Sequence, residues 1–118
     1  MSTIRPLIIQ SGSDWGWTVT INSTSGLPEL VAPVMEIRRD VISASQLLAR
    51  LDTSGNADGT IDVLGSGRLR MRLTHQVTAN IPYGRGFWDI FCMISGQVTK
   101  VASGAVDILP HVSIYVGA

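Results

Sequence analysis

Cysteine is nearly absent from this chain of 118 residues. The single Cys92 excludes an internal disulfide and cannot hold a metal by itself. It sits in an apolar run, which predicts a buried, inert thiol. Charge is scarce as well, at 15% of residues, and nine basic groups balance nine acidic ones. That balance removes the electrostatic drive toward nucleic acid or an anionic membrane surface. No run approaches the roughly 18 apolar residues that a membrane span requires. A basic start followed by a long apolar segment is also missing, since Pro6-Leu-Ile-Ile is too short, so neither classical export nor membrane embedding is expected. Histidine is limited to His75 and His111, neither with Cys, Asp or Glu at zinc-ligand spacing. The Gly-x-Ser-x-Gly signature of a nucleophile elbow is absent, and Ser11 and Ser66 read as turn residues. We therefore expect no enzyme, no cofactor and no metal.

What is present is apolar: 45% of residues, a high share beside so little charge. One domain spanning residues 1–118 fits the length, and part of its apolar surface is expected to meet another subunit. Eight of the nine basic residues are Arg, which favours fixed, forked pairings over loosely solvated charge.

Strand signals dominate the chain. Arg5 to Gln10 is a short apolar strand. Trp15, Trp17, Val19 and Ile21 then alternate with Gly16, Thr18, Thr20 and Asn22. Pro28 and Pro33 argue against a central strand between them, after which Met35 and Ile37 alternate with Glu36 and Arg38. Ser43 to Leu51 fits either two helical turns or a strand, and its strand-like flanks favour the strand. Thr60 to Leu64 and Arg68 to Leu73 flank a tight Gly65-Ser-Gly67 corner. Thr74 to Pro82 has room for a helical turn. From Tyr83 to Ile108 we expect three antiparallel strands, folded back at Ser95-Gly96 and again at Ser103-Gly104. Val112, Ile114 and Val116 predict a closing strand. The fold class is all-β, an antiparallel β-sandwich or small barrel of about eight or nine strands.

Four features invite a functional reading. Ser54-Gly-Asn-Ala-Asp-Gly-Thr-Ile-Asp62 follows the front of a calcium loop, yet Ser54 replaces the first acidic ligand and Gly65 stands where a bidentate Glu belongs. A plain Asp/Asn/Gly loop is the preferred reading. Arg68, Arg70 and Arg72 place three guanidinium groups roughly 7 Å apart on one strand face. They suit a solvated outer face with an acid such as Asp62 across the strand, a contact with an acidic neighbouring subunit, or nucleic acid, in that order. Trp15, Trp17 and Trp88 suit core first, then a subunit interface, then a ligand platform. The run Phe87-Trp-Asp-Ile-Phe-Cys-Met-Ile94 is apolar on both faces apart from Asp89. Such a strand is either central in a double layer or covered outside by a partner. Asp89 then needs backbone N–H groups or an arginine, from Arg85 or the Arg68–Arg72 row. Phe87, Trp88, Asp89, Phe91 and the three arginines are the candidate binding residues.

The order of these elements resembles the small β-sandwich domains of tailed-bacteriophage virion proteins, tail-associated and baseplate proteins among them. The resemblance runs from about residue 5 to 116. It rests on an opening strand with Gly12-Ser-Asp14 and Trp17-x-x-x-Ile21, the Gly26-Leu-Pro28 turn, Met35-Glu-Ile-Arg-Arg39, Leu47-Leu48 and Gly59-Thr-Ile61. A final meander follows, carrying Tyr83, Trp88, Asp89, Gly96, Val98, Gly104, Val106 and Ile108. Two departures stand out: the Asp52–Asp62 loop is longer than the pattern, and no receptor-binding or fibre segment follows, which suggests a free-standing subunit. The resemblance implies a virion building block without catalysis, assembled in the host cytoplasm. It would work by homo-oligomerisation and by docking on other virion proteins, with nucleic acid and membrane excluded as partners. A carbohydrate- or host-surface-binding module built on the tryptophans is the alternative.

Overall fold

Period-two alternation is cleanest in Arg68–Leu73, where Leu69, Met71 and Leu73 are buried and the three arginines are exposed. The computed structural model describes residues 6–21, 30–40 and 45–110. In chain order these form β1 (Leu7–Gln10), β2 (Trp15–Thr20), β3 (Val31–Arg38), β4 (Leu47–Asp52), β5 (Gly59–Gly65) and β6 (Arg68–Leu73). Then come α1 (His75–Ala79), β7 (Gly84–Ile94) and β8 (Gln97–Leu109). The all-β expectation holds, as does the helical turn after Thr74, whose hydroxyl accepts from the Val77 N–H at 3.5 Å. The ambiguous Ser43–Leu51 piece is a strand from Leu47 onward. The predicted closing strand at Val112–Val116, together with His111, lies outside the described residues.

The strands follow the order β1-β8-β7-β3-β4-β5-β6-β2. Two contacts are parallel, β1 with β8 and β4 with β5, so the sheet is mixed where a purely antiparallel one was expected. The β4–β5 contact has only two register pairs, Leu51↔Gly59 and Asp52↔Thr60. There the sheet folds over into two layers, β1-β8-β7-β3-β4 and β5-β6-β2. Gly59 makes the fold-over possible: a Cβ on it would come within 2.5 Å of Leu73 and 2.7 Å of Leu51. Met35, Ile37, Leu51 and Ile90 from the first layer and Leu69 and Met71 from the second are wholly buried in one core.

Two hairpin corners use left-handed Ser-Gly pairs, with φ of 54° and 73° at Ser66-Gly67 and 51° and 79° at Ser95-Gly96. These suit the type I′ turns that match strand twist. The third corner, expected at Ser103-Gly104, does not exist. β8 runs unbroken from Gln97 to Leu109. Gly104 instead faces Trp88 across the ladder, where a Cβ would come within 2.9 Å of the indole. The glycine makes room for a ring, and no turn is needed. Pro33 also departs from expectation, because it lies inside β3, which is central, between β7 and β4. The register shift between Val31 and Val34, with Ala32 at φ 48°, takes the proline out of the ladder.

Candidate interaction face

Register fixes which side chains share the outer face of the β8-β7-β3-β4 layer. Residues directly opposite one another lie on the same side of the sheet, which gives a series of rows. At the hairpin end, Val98, Met93 and Val31 form an apolar row, with Val98 73% and Val31 50% exposed. Next come Lys100, Phe91, Val34 and Asp52, then Ser103, Asp89, Glu36 and Arg50. Ala105, Phe87, Arg38 and Leu47 follow, with Leu47 42% exposed. A bulge on β8, between the pairs Ile90↔Ala102 and Phe91↔Lys100, brings Lys100 and Val98 onto this face.

Two apolar bands thus flank a charged belt whose members pair with each other. Glu36 receives Arg38 at 3.0 Å and Arg50 at 3.1 Å, and Arg50 also reaches Asp52 at 3.5 Å. Lys100 lies 3.5 Å from Asp89, with its ammonium 5.7 Å from the Phe91 ring centroid. A shallow depression of about 590 Å³ lies over Phe87, Phe91, Ser103 and Gly104, where β8 contributes the small residues Ser103, Gly104 and Ala105, with Lys100 at one end.

The seven predicted residues do not form one site. Phe87, Asp89 and Phe91 lie on this face, half-buried. Trp88 points the other way, 7% exposed, its Nε1 donating to the Ala105 carbonyl at 3.1 Å. Arg68, Arg70 and Arg72 lie on the outer side of the other layer. There Asp62 accepts Arg70 at 3.3 Å and Arg72 at 2.9 Å, the cross-strand pairing expected of a solvated face. Asp89 takes neither predicted arginine source. Arg85 is held by Asp107 at 3.0 Å directly across the ladder, and the Arg68–Arg72 row lies on the far layer. Lys100, brought close by the bulge, takes their place. Sequence reasoning passed over Val31, Met93, Val98, Lys100 and the Glu36–Arg38–Arg50 cluster. The Ser95-Gly96 corner was the one available signal, since it sets Val98 opposite Met93.

The tryptophans are mainly core. Trp17 meets Trp88 edge-on at 5.1 Å between centroids, joining β2 to β7 across the two layers, and Trp15 lies 6.4 Å from Trp17. Trp15 borders an open cleft of about 550 Å³, shared with Asp14, Asp58, Thr60, Arg72 and Thr74.

The acids of the Asp52–Asp62 loop are held by the loop and by the strands beside it. Asp52 accepts from the Ser54 hydroxyl at 2.6 Å and its N–H at 2.9 Å, bonds that hold its carboxyl below the ordinary value, and Asp58 accepts from the Arg50 N–H at 2.9 Å. Among the described residues no group of three or more His, Cys, Asp or Glu is placed to hold a metal. His75 opens α1 against Asp14, which accepts its backbone N–H at 2.7 Å and faces Nδ1 at 3.1 Å. The backbone bond first, then the ring, lowers the Asp14 pKa. Cys92 is buried on the inner side of β7, and burial pushes its thiol pKa up. No helix among the described residues is long and apolar enough to cross a membrane.

No protein-family profile and no curated protein matches this chain. Solved structures do share its shape. CopC from Methylosinus trichosporium OB3b is similar at TM-score 0.53 and 12% identity, over 93% of this chain and 89% of that one. The NK cell receptor Nkp44 is similar at TM-score 0.50 and 12% identity, over 92% of this chain and 100% of that one. An endo-β-1,4-mannanase from Thermotoga petrophila is similar at TM-score 0.52 and 13% identity, over 91% of this chain, which spans only 18% of the mannanase. At such identities the likeness concerns fold alone. The strand order matches an immunoglobulin variable-type arrangement, with the Trp17–Trp88 contact on the two strands that carry the inter-sheet disulfide in antibody domains. The chain has a β-sandwich fold.

Proposed function

We propose that this chain is a structural subunit of a tailed-bacteriophage particle, in the tail, baseplate or head–tail region ahead of capsid decoration. It acts by packing on neighbouring virion proteins and on itself, without turning over a substrate. The observation that carries the reading is the outer face of β8-β7-β3-β4. Its two apolar bands, with Val31 and Val98 largely open to solvent, flank a belt of mutually paired charges. Scattered apolar residues are ordinary on a monomer, whereas a contiguous band rimmed by polar groups marks a contact surface. The motif order from residue 5 to 116 supplies the virion context. Mass spectrometry of purified particles from the phage that encodes the chain tests it. The protein is expected in a copy number matching a symmetric ring or lattice, and its absence from intact particles would refute the assignment.

One observation favours a second reading, a carbohydrate-binding module. Trp15 walls a cleft flanked by Asp14, Asp58 and Arg72, groups that can bond sugar hydroxyls. Trp88 cannot contribute, being buried. Quenching of tryptophan emission by host glycans, lost in Trp15→Ala, would favour this reading; no response would remove it.

A further inference from the structure

We propose that the partner of the β8-β7-β3-β4 face is a second copy of this chain, related by a two-fold axis in the interface plane. The axis runs along the strands between β7 and β3. This deepens the reading of the chain as a packing subunit and rests on it. Such an axis lays β7 over the second copy's β3 and β8 over its β4, row upon row.

Three of the four rows are self-complementary under this operation. Lys100 comes over the second copy's Asp52, and Phe91 over its Val34. Met93 meets Val31, and Phe87 meets the Arg38 guanidinium, a cation–π pairing. Asp89 comes over the second copy's Glu36, a like-charge contact that the Arg38 and Arg50 guanidinium groups beside that carboxylate must offset. Shape agrees with charge. The depression over Ser103 and Ala105, small residues on β8, receives Arg50 and Leu47 from the second copy's β4. Leu47 is 42% exposed, an apolar side chain that gains cover there. The six charges in the rows are three positive and three negative, and Asp40 at the rim of the depression adds one more negative, so two copies approach with little net repulsion.

Size is adequate. Four strands ~4.8 Å apart and four rows ~6.8 Å apart span roughly 500 Å² in projection. Side-chain relief brings this near the ~800 Å² per partner of a standard interface. An interface of this kind is isologous and closes at two.

Sedimentation equilibrium of the full chain from micromolar to millimolar concentration is the test. A dimer is expected. Lys100→Glu, which turns an attraction to Asp52 into a repulsion, and Leu47→Asp should each weaken it at least tenfold. Arg70→Glu, on the far layer, should leave it unchanged. Pairing Lys100→Glu with Asp52→Arg should restore association, and circular dichroism melting checks that each variant folds. A monomer throughout, a trimer or ring, or a dimer broken by Arg70→Glu and indifferent to the other two would overturn the proposal. Particle mass spectrometry separates the two ideas. A monomer still found in virions sinks the dimer alone, and a dimer missing from virions sinks the virion assignment alone.

Discussion

A single methyl group at Gly104 probes how the layers are joined. In Gly104→Ala the new Cβ would lie 2.9 Å from Trp88 Cζ2 and Nε1 and 3.0 Å from Cε2. The indole has little freedom to retreat, with Trp17 against it at 5.1 Å and its Nε1 bonded to the Ala105 carbonyl. Overpacking of this kind costs ~1–3 kcal/mol. The reduced entropy of the unfolded chain returns ~0.4–1 kcal/mol, leaving a net loss of about 1–2 kcal/mol. For 118 residues the unfolding entropy is about 0.25 kcal/mol/K, so Tm should fall by about 4–8 °C. In urea the midpoint should drop with the slope unchanged. A turn glycine would also resist substitution, so the decisive assay is a double-mutant cycle with Trp88→Leu. The smaller side chain leaves room for the methyl, and Gly104→Ala should then be neutral or slightly stabilising. That requires a coupling of at least ~1 kcal/mol between the two sites. Equal losses in both backgrounds would show that the indole does not dictate this glycine.

Three further outcomes follow from the geometry. Asp62→Asn should cost less than about 1 kcal/mol in a denaturant melt, because its pairs with Arg70 and Arg72 lie in solvent on the outer face. Asp14 and Asp52 are held below the ordinary aspartate pKa of 3.8 by His75 and Ser54 respectively. The unfolded chain therefore takes up these protons first as pH falls. Their stabilisation is complete above about pH 5 and is lost as pH drops through the folded-state values. Acid titration of Asp14→Asn and Asp52→Asn should accordingly show a shallower decline, small because both carboxylates face water. Cys92 should react with a thiol reagent only as fast as the sandwich opens, and immediate labelling in native buffer would contradict its burial on β7.

Local pattern carried much of this fold. Alternation in Arg68–Leu73 and the Asp62 partner were legible because β5 and β6 form one hairpin, whose register follows from its corner. The short helix after Thr74 and the strand at Leu47 were legible for similar reasons. Ser103-Gly104 misled because the same dipeptide serves two purposes, a left-handed turn at Ser95-Gly96 and clearance for a ring at Gly104. Nothing nearby in sequence distinguishes them, since Trp88 comes from another strand. The interaction face was harder still. It depends on the pairing of β3 with β7, on the irregularity around Pro33 and on the β8 bulge that delivers Lys100 to Asp89. Each of these is a long-range or one-residue register effect. The arginine row attracted notice by composition, whereas Val31, Met93 and Val98 become a patch only once distant strands are aligned.

Hydroxyl-radical footprinting gives the most direct test of the claim that the β8-β7-β3-β4 face is where this protein makes contact. Oxidation rates at Phe87, Phe91 and Met93 would be compared between dilute and assembled protein. The account predicts protection of all three on assembly, with Trp88 slow in both states and the Arg68–Arg72 strand unchanged. Unaltered rates at those three residues, with protection confined to the arginine layer, would contradict it.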